Sequence, residues 1–168
     1  MISLFKFVGT FSLGLLTGIS YSLTTITLPS LLTLPTAPLC ARTLSTLRAR
    51  STAHYRLFGR VASASLALAF ALSPSRARHP YLLWTALVAA AGCAGGVELA
   101  LRHAHEDDDI RDMGAAREDE VNGEEVREAV ERLRVVEGVR TGVLGIGLMM
   151  GIVGLWGDRF GSRRLRGC

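Results

Sequence analysis

The sequence predicts an all-α integral membrane protein, a helical bundle with four transmembrane segments and an amphipathic helix that leads into the fourth. Two observations predict this fold. Long apolar blocks without charge alternate with segments in which charged residues are concentrated. Each block is about as long as a helix must be to cross a hydrocarbon core of about 30 Å. The chain has 168 residues, which is short enough for one domain, and we assign all of it to a single membrane domain.

The first predicted segment covers residues 7–28 and carries no charge. Pro29 follows directly and is expected to end the helix, because proline has no N–H and its ring clashes with the preceding turn. A cleavable signal peptide is the alternative, since Lys6 precedes the apolar run. That run is long for a signal peptide, and no small-x-small cleavage site closes it. Residues 29–56 are predicted to connect the first two segments, as a solvated loop or as a short basic helix at the membrane surface.

The second predicted segment covers residues 57–73 and includes one charge, Arg60. An arginine near the end of a membrane helix can extend its guanidinium group to the interface. The next connector is very short and predicts a tight hairpin between the second and third segments. The third segment covers residues 81–101 and contains Glu98 near its far end, where the carboxylate is expected to sit at the interface.

Residues 102–140 form a mainly acidic connector without aromatic residues. Its first part, residues 103–119, is typical of a solvated loop. Its second part begins at Asn122 and is predicted to be amphipathic, with one apolar face made of Val126, Val130, Leu133 and Val136. The fourth segment, residues 141–157, is uncharged and rich in glycine, and we expect it to continue this helix.

Small residues recur at a spacing of four within all four segments, which favours close helix packing in lipid. The partner helices can belong to the same chain or to a second copy, and the pattern leaves both open. The predicted helix-packing residues are Gly14, Gly18, Gly59, Ser63, Ala67, Gly92, Gly96, Gly147 and Gly151.

No residue constellation predicts catalysis, a metal site or a cofactor site. The run from His103 to Asp109 contains two histidines and several carboxylates, but nothing in the pattern fixes their geometry, and a solvated charge run is the simpler interpretation. The three cysteines are too widely spaced to predict a disulfide framework or a zinc site. The net charge of +4 comes from arginines in connectors and tail, so a lipid bilayer is the expected partner rather than nucleic acid.

Several stretches go beyond generic membrane patterning. They are residues 7–29, 77–85, 122–127, 139–142 and 154–158. Together these stretches resemble the fungal family of autophagy-related protein 33. The resemblance implies a multi-pass protein of the mitochondrial outer membrane that acts in mitophagy, the selective autophagy of mitochondria. It implies no catalytic residues. The third connector is shorter here, and poorer in Ser and Pro, than the family's filamentous-fungal members lead one to expect.

The acidic connector also bears on the partners. A direct autophagy receptor usually presents an aromatic-x-x-aliphatic motif beside acidic residues, and this motif adds a strand to the partner's sheet. The connector has no aromatic residue, while Trp84–Leu87 matches the motif but lies inside the third segment. We therefore expect no direct binding of the autophagosome ubiquitin-like protein.

Two other functions remain open from the residues. The stretch 15–32 is similar to the start of four-helix membrane proteins of the anthrone-oxygenase-like type, which implies an enzyme acting on polyketide-derived aromatics. Such an enzyme should place ionisable groups in its interior, and only Arg60 and Glu98 qualify by sequence. The third possibility is a structural membrane assembly protein that binds other helices through its glycine-rich faces.

Overall fold

The computed structural model of the chain describes residues 2–73, 80–93, 96–97, 106–116 and 121–164. Every regular element in this part of the chain is helical, which confirms the all-α prediction. The elements are α1 (Ile2–Ser22), a π-helical turn (Leu23–Thr27), α2 (Leu28–Leu31), α3 (Ala37–Leu72), α4 (Pro80–Cys93), α5 (Glu106–Ala115) and α6 (Gly123–Arg164).

The helices α1, α3, α4 and α6 pack around one another in chain order, each antiparallel to the next, and α6 closes the ring against α1. Pairs of residues that meet at these contacts are Gly9 with Leu66, Gly59 with Cys93, Gly92 with Leu144, and Gly151 with Thr10. The short helix α5 packs on α3 and α6. There Gly114 lies against Ser45, well beyond the level at which α4 meets α3. The fourth position of the bundle is therefore filled by α4 at one end and by α5 at the other.

Three helical stretches are long and apolar enough to cross a membrane: Ile2–Leu31, Ala37–Leu72 and Gly123–Trp156. The prediction of four such segments is therefore wrong for the described residues. The predicted third segment, 81–101, is represented by α4, an apolar helix of 14 residues. Residues 98–101 of that prediction, including Glu98, lie outside the described residues.

Pro29 does not end the first helix, which continues through α2 to Leu31. The π-helical turn that precedes Pro29 explains why. A π turn is wider than an α turn and pairs each N–H with the carbonyl five residues back, as the N–H of Leu28 does with the carbonyl oxygen of Leu23. The missing N–H and the ring of Pro29 thus fall where the regular ladder is already interrupted.

The expected connector 29–56 is also wrong, since α3 begins at Ala37 and residues 57–73 are only its second half. Thr36 has an extended backbone and Pro38 lies in the first turn, where proline is tolerated because its missing N–H would have no partner within the helix. From Leu39 onward the sequence contains no proline before the helix ends. The expected loop 103–119 is likewise corrected, because α5 occupies Glu106–Ala115. A single helix, α6, covers both the amphipathic stretch and the fourth segment.

The bundle has two separate apolar cores. The first core lies among α1, α3, α4 and α6, and its buried residues are Leu13, Leu16, Tyr55, Ala62, Leu66, Leu82, Ala86, Ala89, Cys93 and Leu144. The second core lies among α2, α3, α5 and α6, and its buried residues are Leu28, Leu31, Cys40, Ala41, Leu44, Ile110, Val126, Ala129, Val130 and Leu133.

The outer surfaces around the two cores differ. Around the first core, beyond Arg60 on α3, the exposed side chains are mainly apolar, among them Phe11, Leu68 and Met149, and we call this part of the molecule the uncharged half. Around the second core the exposed side chains include many charges, among them Arg50 and Glu128, and we call this part the charged half. Each of α3 and α6 passes through both halves without a break.

Candidate functional site: a buried ion cluster between two cores

Between the two cores lies a layer of buried polar side chains from three helices, which we call the ion cluster. Along α6 it falls between Leu133 of the second core and Leu144 of the first. On the first helical stretch Ser20 falls between Leu16 and Leu28, and on α3 Arg48 follows Leu44 of the second core, while Tyr55 belongs to the first core and extends its hydroxyl into the ion cluster. The members are Ser20 from α1, Arg48 and Tyr55 from α3, and Glu137 and Arg140 from α6, and each is at most 5% exposed.

Glu137 is the centre of the ion cluster. Its Oε2 accepts a hydrogen bond of 2.5 Å from the hydroxyl of Tyr55. The Oγ of Ser20 lies 2.7 Å from the same Oε2 and 2.9 Å from the backbone carbonyl oxygen of Glu137, so its single proton can be donated to either acceptor. The other carboxylate oxygen, Oε1, accepts from Nη1 of Arg48 at 3.3 Å and from Nη1 of Arg140. Both carboxylate oxygens are thus engaged by protein donors.

Arg140 connects the ion cluster to α4. It lies three residues after Glu137, a spacing that places both side chains on one face of α6. Its Nε donates a hydrogen bond of 3.0 Å to the carbonyl oxygen of Gly92, in the last turn of α4, where a positive charge is favoured by the helix dipole. Its guanidinium carbon lies 4.4 Å from the ring centroid of Tyr55, a cation–π contact. One side chain thereby joins α3, α4 and α6.

Among the described residues, the ion cluster contains two guanidinium groups and one carboxylate. Burying such groups is costly, and the cost is met only when the geometry pairs them and satisfies their hydrogen bonds. Here Glu137 supplies a negative charge that faces both Arg48 and Arg140. The arrangement fixes the relative positions of α1, α3, α4 and α6 at one level, because no helix can slide or rotate without breaking a charged hydrogen bond.

The sequence interpretation missed this site. Arg48 was expected in a connector, and Glu137 and Arg140 at the solvated end of an amphipathic helix. A usable signal exists on α6, because the buried positions 126, 130, 133, 137, 140 and 144 follow spacings of four and three without interruption. The apolar face therefore continues through two charged residues, which is the pattern of a buried ion pair rather than of a solvated helix end.

The residues that the sequence nominated as interior ionisable groups are placed elsewhere. Arg60 is exposed on α3, and Glu98 lies outside the described residues. The inference that the bundle interior lacks ionisable groups is wrong, since Arg48, Glu137 and Arg140 are buried there. Residues 103–105 of the histidine-containing run also lie outside the described residues. Within the part of the chain that the structure describes, no group of three His, Cys, Asp or Glu side chains could hold a metal ion.

Four of the predicted packing glycines lie where a neighbouring helix comes closest. An added methyl group at Gly59 would overlap the side chain of Cys93. At Gly92 it would lie 2.7 Å from Leu144, at Gly147 3.0 Å from Val88, and at Gly151 3.0 Å from Thr10. These residues serve packing inside the chain, between α3 and α4, α4 and α6, and α6 and α1.

The other predicted packing residues are more open. A methyl group at Gly14 would meet only Leu148, at 3.8 Å, and one at Gly18 would meet nothing within 4 Å. At Gly96 the nearest atoms belong to the backbone of Ala91. On α3, Ser63 donates a hydrogen bond of 3.4 Å to the carbonyl oxygen of Ala86 on α4, whereas Ala67 is exposed.

Comparisons with known proteins place this architecture in a family. The family model described as Autophagy-related protein 33 matches residues 2–107. The chain is 36% identical to Autophagy-related protein 33 of Gibberella zeae (strain ATCC MYA-4620 / CBS 123657 / FGSC 9075 / NRRL 31084 / PH-1), and the alignment covers 94% of this chain and 91% of that relative. No solved structure matches the chain. The resemblance found in the sequence is thereby confirmed, and the chain belongs to the autophagy-related protein 33 family.

Proposed function

We propose that this chain is a non-enzymatic, multi-pass protein of the fungal mitochondrial outer membrane that acts in mitophagy. The observation that carries the proposal is the match to an autophagy-related protein over 94% of the chain. It means that the whole bundle, including α3 and α6, is shared with a protein named for autophagy. The location in the mitochondrial outer membrane is the more specific part of the proposal, and it is supported by the family resemblance.

The exposed surface of the uncharged half supports insertion into a bilayer. Large apolar side chains such as Phe7, Trp84 and Ile146 are 60% or more exposed, which is costly in water over a continuous surface. In lipid the same surface is favourable. With α1, α3 and α6 each long enough to span, the simplest arrangement has several crossings.

The structure also gives a reason to expect an indirect role in cargo selection. The stretch Trp84–Leu87 is the sequence match to a receptor motif, and it lies within α4. Its backbone N–H and C=O groups belong to the helical ladder, so it cannot add a strand to a partner's sheet. We therefore propose that the chain acts without binding the autophagosome ubiquitin-like protein directly, through other membrane helices or through an additional partner.

The proposal is tested in a strain from which the gene is deleted and then restored. A tagged chain should co-purify with mitochondria, and a protease added to intact mitochondria should show which side residues 102–140 face. Vacuolar cleavage of a mitochondrial matrix reporter should fall in the deletion strain under starvation and recover with the wild-type chain. Residence in the endoplasmic reticulum or vacuole, or unchanged reporter cleavage, would contradict the proposal.

The ion cluster is the observation that favours a second candidate, a membrane enzyme of the anthrone-oxygenase-like type, because it supplies interior ionisable groups. Both carboxylate oxygens of Glu137 are already engaged, however, so a substrate would have to displace Ser20, Tyr55 or an arginine. Purified protein incubated with an anthrone is expected to give no quinone above the rate without protein. Quinone formation that Glu137→Gln abolishes would establish the enzyme instead.

A further inference from the structure

The exposed face of α3 changes character once along its length. Where the charged half meets the uncharged half, the exposed surface of α3 carries Arg50, Arg56 and Arg60, and we call these three residues the arginine stripe. Directly after Arg60 the exposed residues of the same helix become uncharged, beginning with Val61 and continuing through Leu68. The stripe thus ends where the apolar outer surface of the uncharged half begins.

No acidic residue balances the arginine stripe on its own helix, since α3 contains neither Asp nor Glu. Among the described residues, none of the three arginines forms an ion pair. The charged part of α6 differs in this respect. There Arg127 pairs with Glu131 at 3.2 Å, and Arg132 pairs with Glu128 at 2.5 Å.

The spacing of the stripe suits several phosphate groups. Arg56 and Arg60 are one helical turn apart and therefore neighbours on the helix surface. With a rise of about 1.5 Å per residue, Arg50 lies about 15 Å from Arg60 along the axis, enough for a second anion. A guanidinium group presents two parallel N–H donors that match the oxygens of a phosphate, and it is less strongly hydrated than an ammonium group.

We propose that the arginine stripe binds the phosphate groups of anionic phospholipids in the leaflet that borders the charged half. A phospholipid is favoured over a protein partner because the exposed surface of α3 offers a charged part for the headgroup and, directly after it, an apolar part for the acyl chains. The exposed apolar residues Val61 and Leu68 lie where acyl chains would lie, and the arginines lie at the headgroup end.

The test compares lipids retained by the full-length protein in detergent micelles, measured by native mass spectrometry. The protein is mixed with equal amounts of phosphatidylglycerol, which is anionic, and phosphatidylcholine, which is zwitterionic. Wild-type protein is expected to retain phosphatidylglycerol preferentially. The variant R50Q/R56Q/R60Q should lose at least about tenfold of this preference, since each arginine near a membrane surface is worth about fivefold.

The matched control is R127Q/R132Q/R134Q, which removes three exposed positive charges from α6 and should keep the wild-type preference. Helical circular dichroism must be unchanged in both variants, and single substitutions in the stripe replace the triple variant if it does not fold. Equal retention of the two lipids by wild-type protein would overturn the proposal. So would an equal loss in both variants, or a change of oligomeric state on removing the stripe with no change in lipid preference.

Discussion

The uncharged half and the charged half of the bundle share α3 and α6, and both have apolar interiors, yet their outer surfaces suit different surroundings. On α6 the exposed residues are Arg127 and Glu131 in one half and Ile146 and Met149 in the other, while buried aliphatic residues continue through both. A buried core forms in water and in lipid alike. The exposed side chains therefore indicate whether a part of the bundle is surrounded by water or by lipid. Their character changes from charged to apolar partway along α3 and α6, although neither helix is interrupted.

The ion cluster lies where the two halves meet, and it is the one place in the described interior where formal charges come together. Apolar cores alone would let the long helices shift along one another at modest cost, since many aliphatic packings are nearly equivalent. Charged hydrogen bonds are directional and are satisfied in only one arrangement. The cluster thus aligns the apolar surface of one half with the charged surface of the other.

The largest expected effect comes from removing the central carboxylate. Glu137→Ala leaves Arg48 and Arg140 buried without their negative partner, and breaking a buried pair in this way costs about 3–5 kcal/mol. The free energy of unfolding can be measured by titrating sodium dodecyl sulfate into micelles and following helical circular dichroism. Glu131→Ala, which removes an exposed carboxylate from the same helix, should cost less than about 1 kcal/mol. Equal costs would mean that the cluster does not join the halves.

A compensated variant sharpens the same comparison. Replacing all three charges together, as Arg48→Met, Glu137→Leu and Arg140→Met, removes the burial penalty as well as the attraction. Such replacements are often neutral or stabilising. We therefore expect this variant to unfold at a higher detergent fraction than Glu137→Ala. A further loss of stability would show that the charges contribute more than they cost.

A smaller loss of stability is expected when the hydroxyl group of Tyr55 is removed and its aromatic ring is kept. Tyr55→Phe deletes the hydrogen bond to Glu137 but retains the ring beside Arg140. Hydrogen bonds to charged groups contribute about 1.5–3 kcal/mol, and the loss should fall in that range. Tyr21→Phe, at an exposed position on α1, is the control and should be close to neutral.

The smallest expected effect is confined to the uncharged half. Gly59→Ala places a methyl group against Cys93, so α3 and α4 must separate slightly, at a cost of about 1–3 kcal/mol. Gly18→Ala has no atom within 4 Å of the new methyl group and should be neutral or slightly stabilising, because alanine favours helix more than glycine does. If Gly18→Ala proved the more damaging change, Gly18 would have to pack against a second copy.

Much of the uncharged half could be predicted from the sequence, because apolar length and glycine spacing report directly on membrane helices. The predicted first segment lies within Ile2–Leu31, and the predicted fourth segment lies within Gly123–Trp156 except for its last residue. The charged half could not be predicted as well. Arginines spread along residues 42–56 indicated a connector, and only tertiary packing shows that Arg48 points inward while Arg50 and Arg56 point outward. Pro29 was expected to end the first helix, because a proline does not by itself indicate that a π turn precedes and accommodates it.

The candidate site was predicted less well than the fold. Gly59, Gly92, Gly147 and Gly151 could be nominated because small residues have a recognisable spacing. The ion cluster could not, because its hydrogen-bonded partners lie up to 117 residues apart in the chain. A pattern within one helix shows that Glu137 and Arg140 share a buried face. It does not show which distant side chain completes the pairing.

That separation also sets an order of events during synthesis. Glu137 follows Arg48 by 89 residues, so at about 5–20 residues per second the ribosome produces the carboxylate roughly 4 to 18 seconds after the arginine. Until then α1 and α3 can pair through their apolar faces, but Arg48 has no Glu137 to receive it. Helix α6 thus supplies the carboxylate that pairs with Arg48 as well as the last packing surface of the bundle. A chain truncated before α6 would retain the buried guanidinium group of Arg48 without the carboxylate of Glu137.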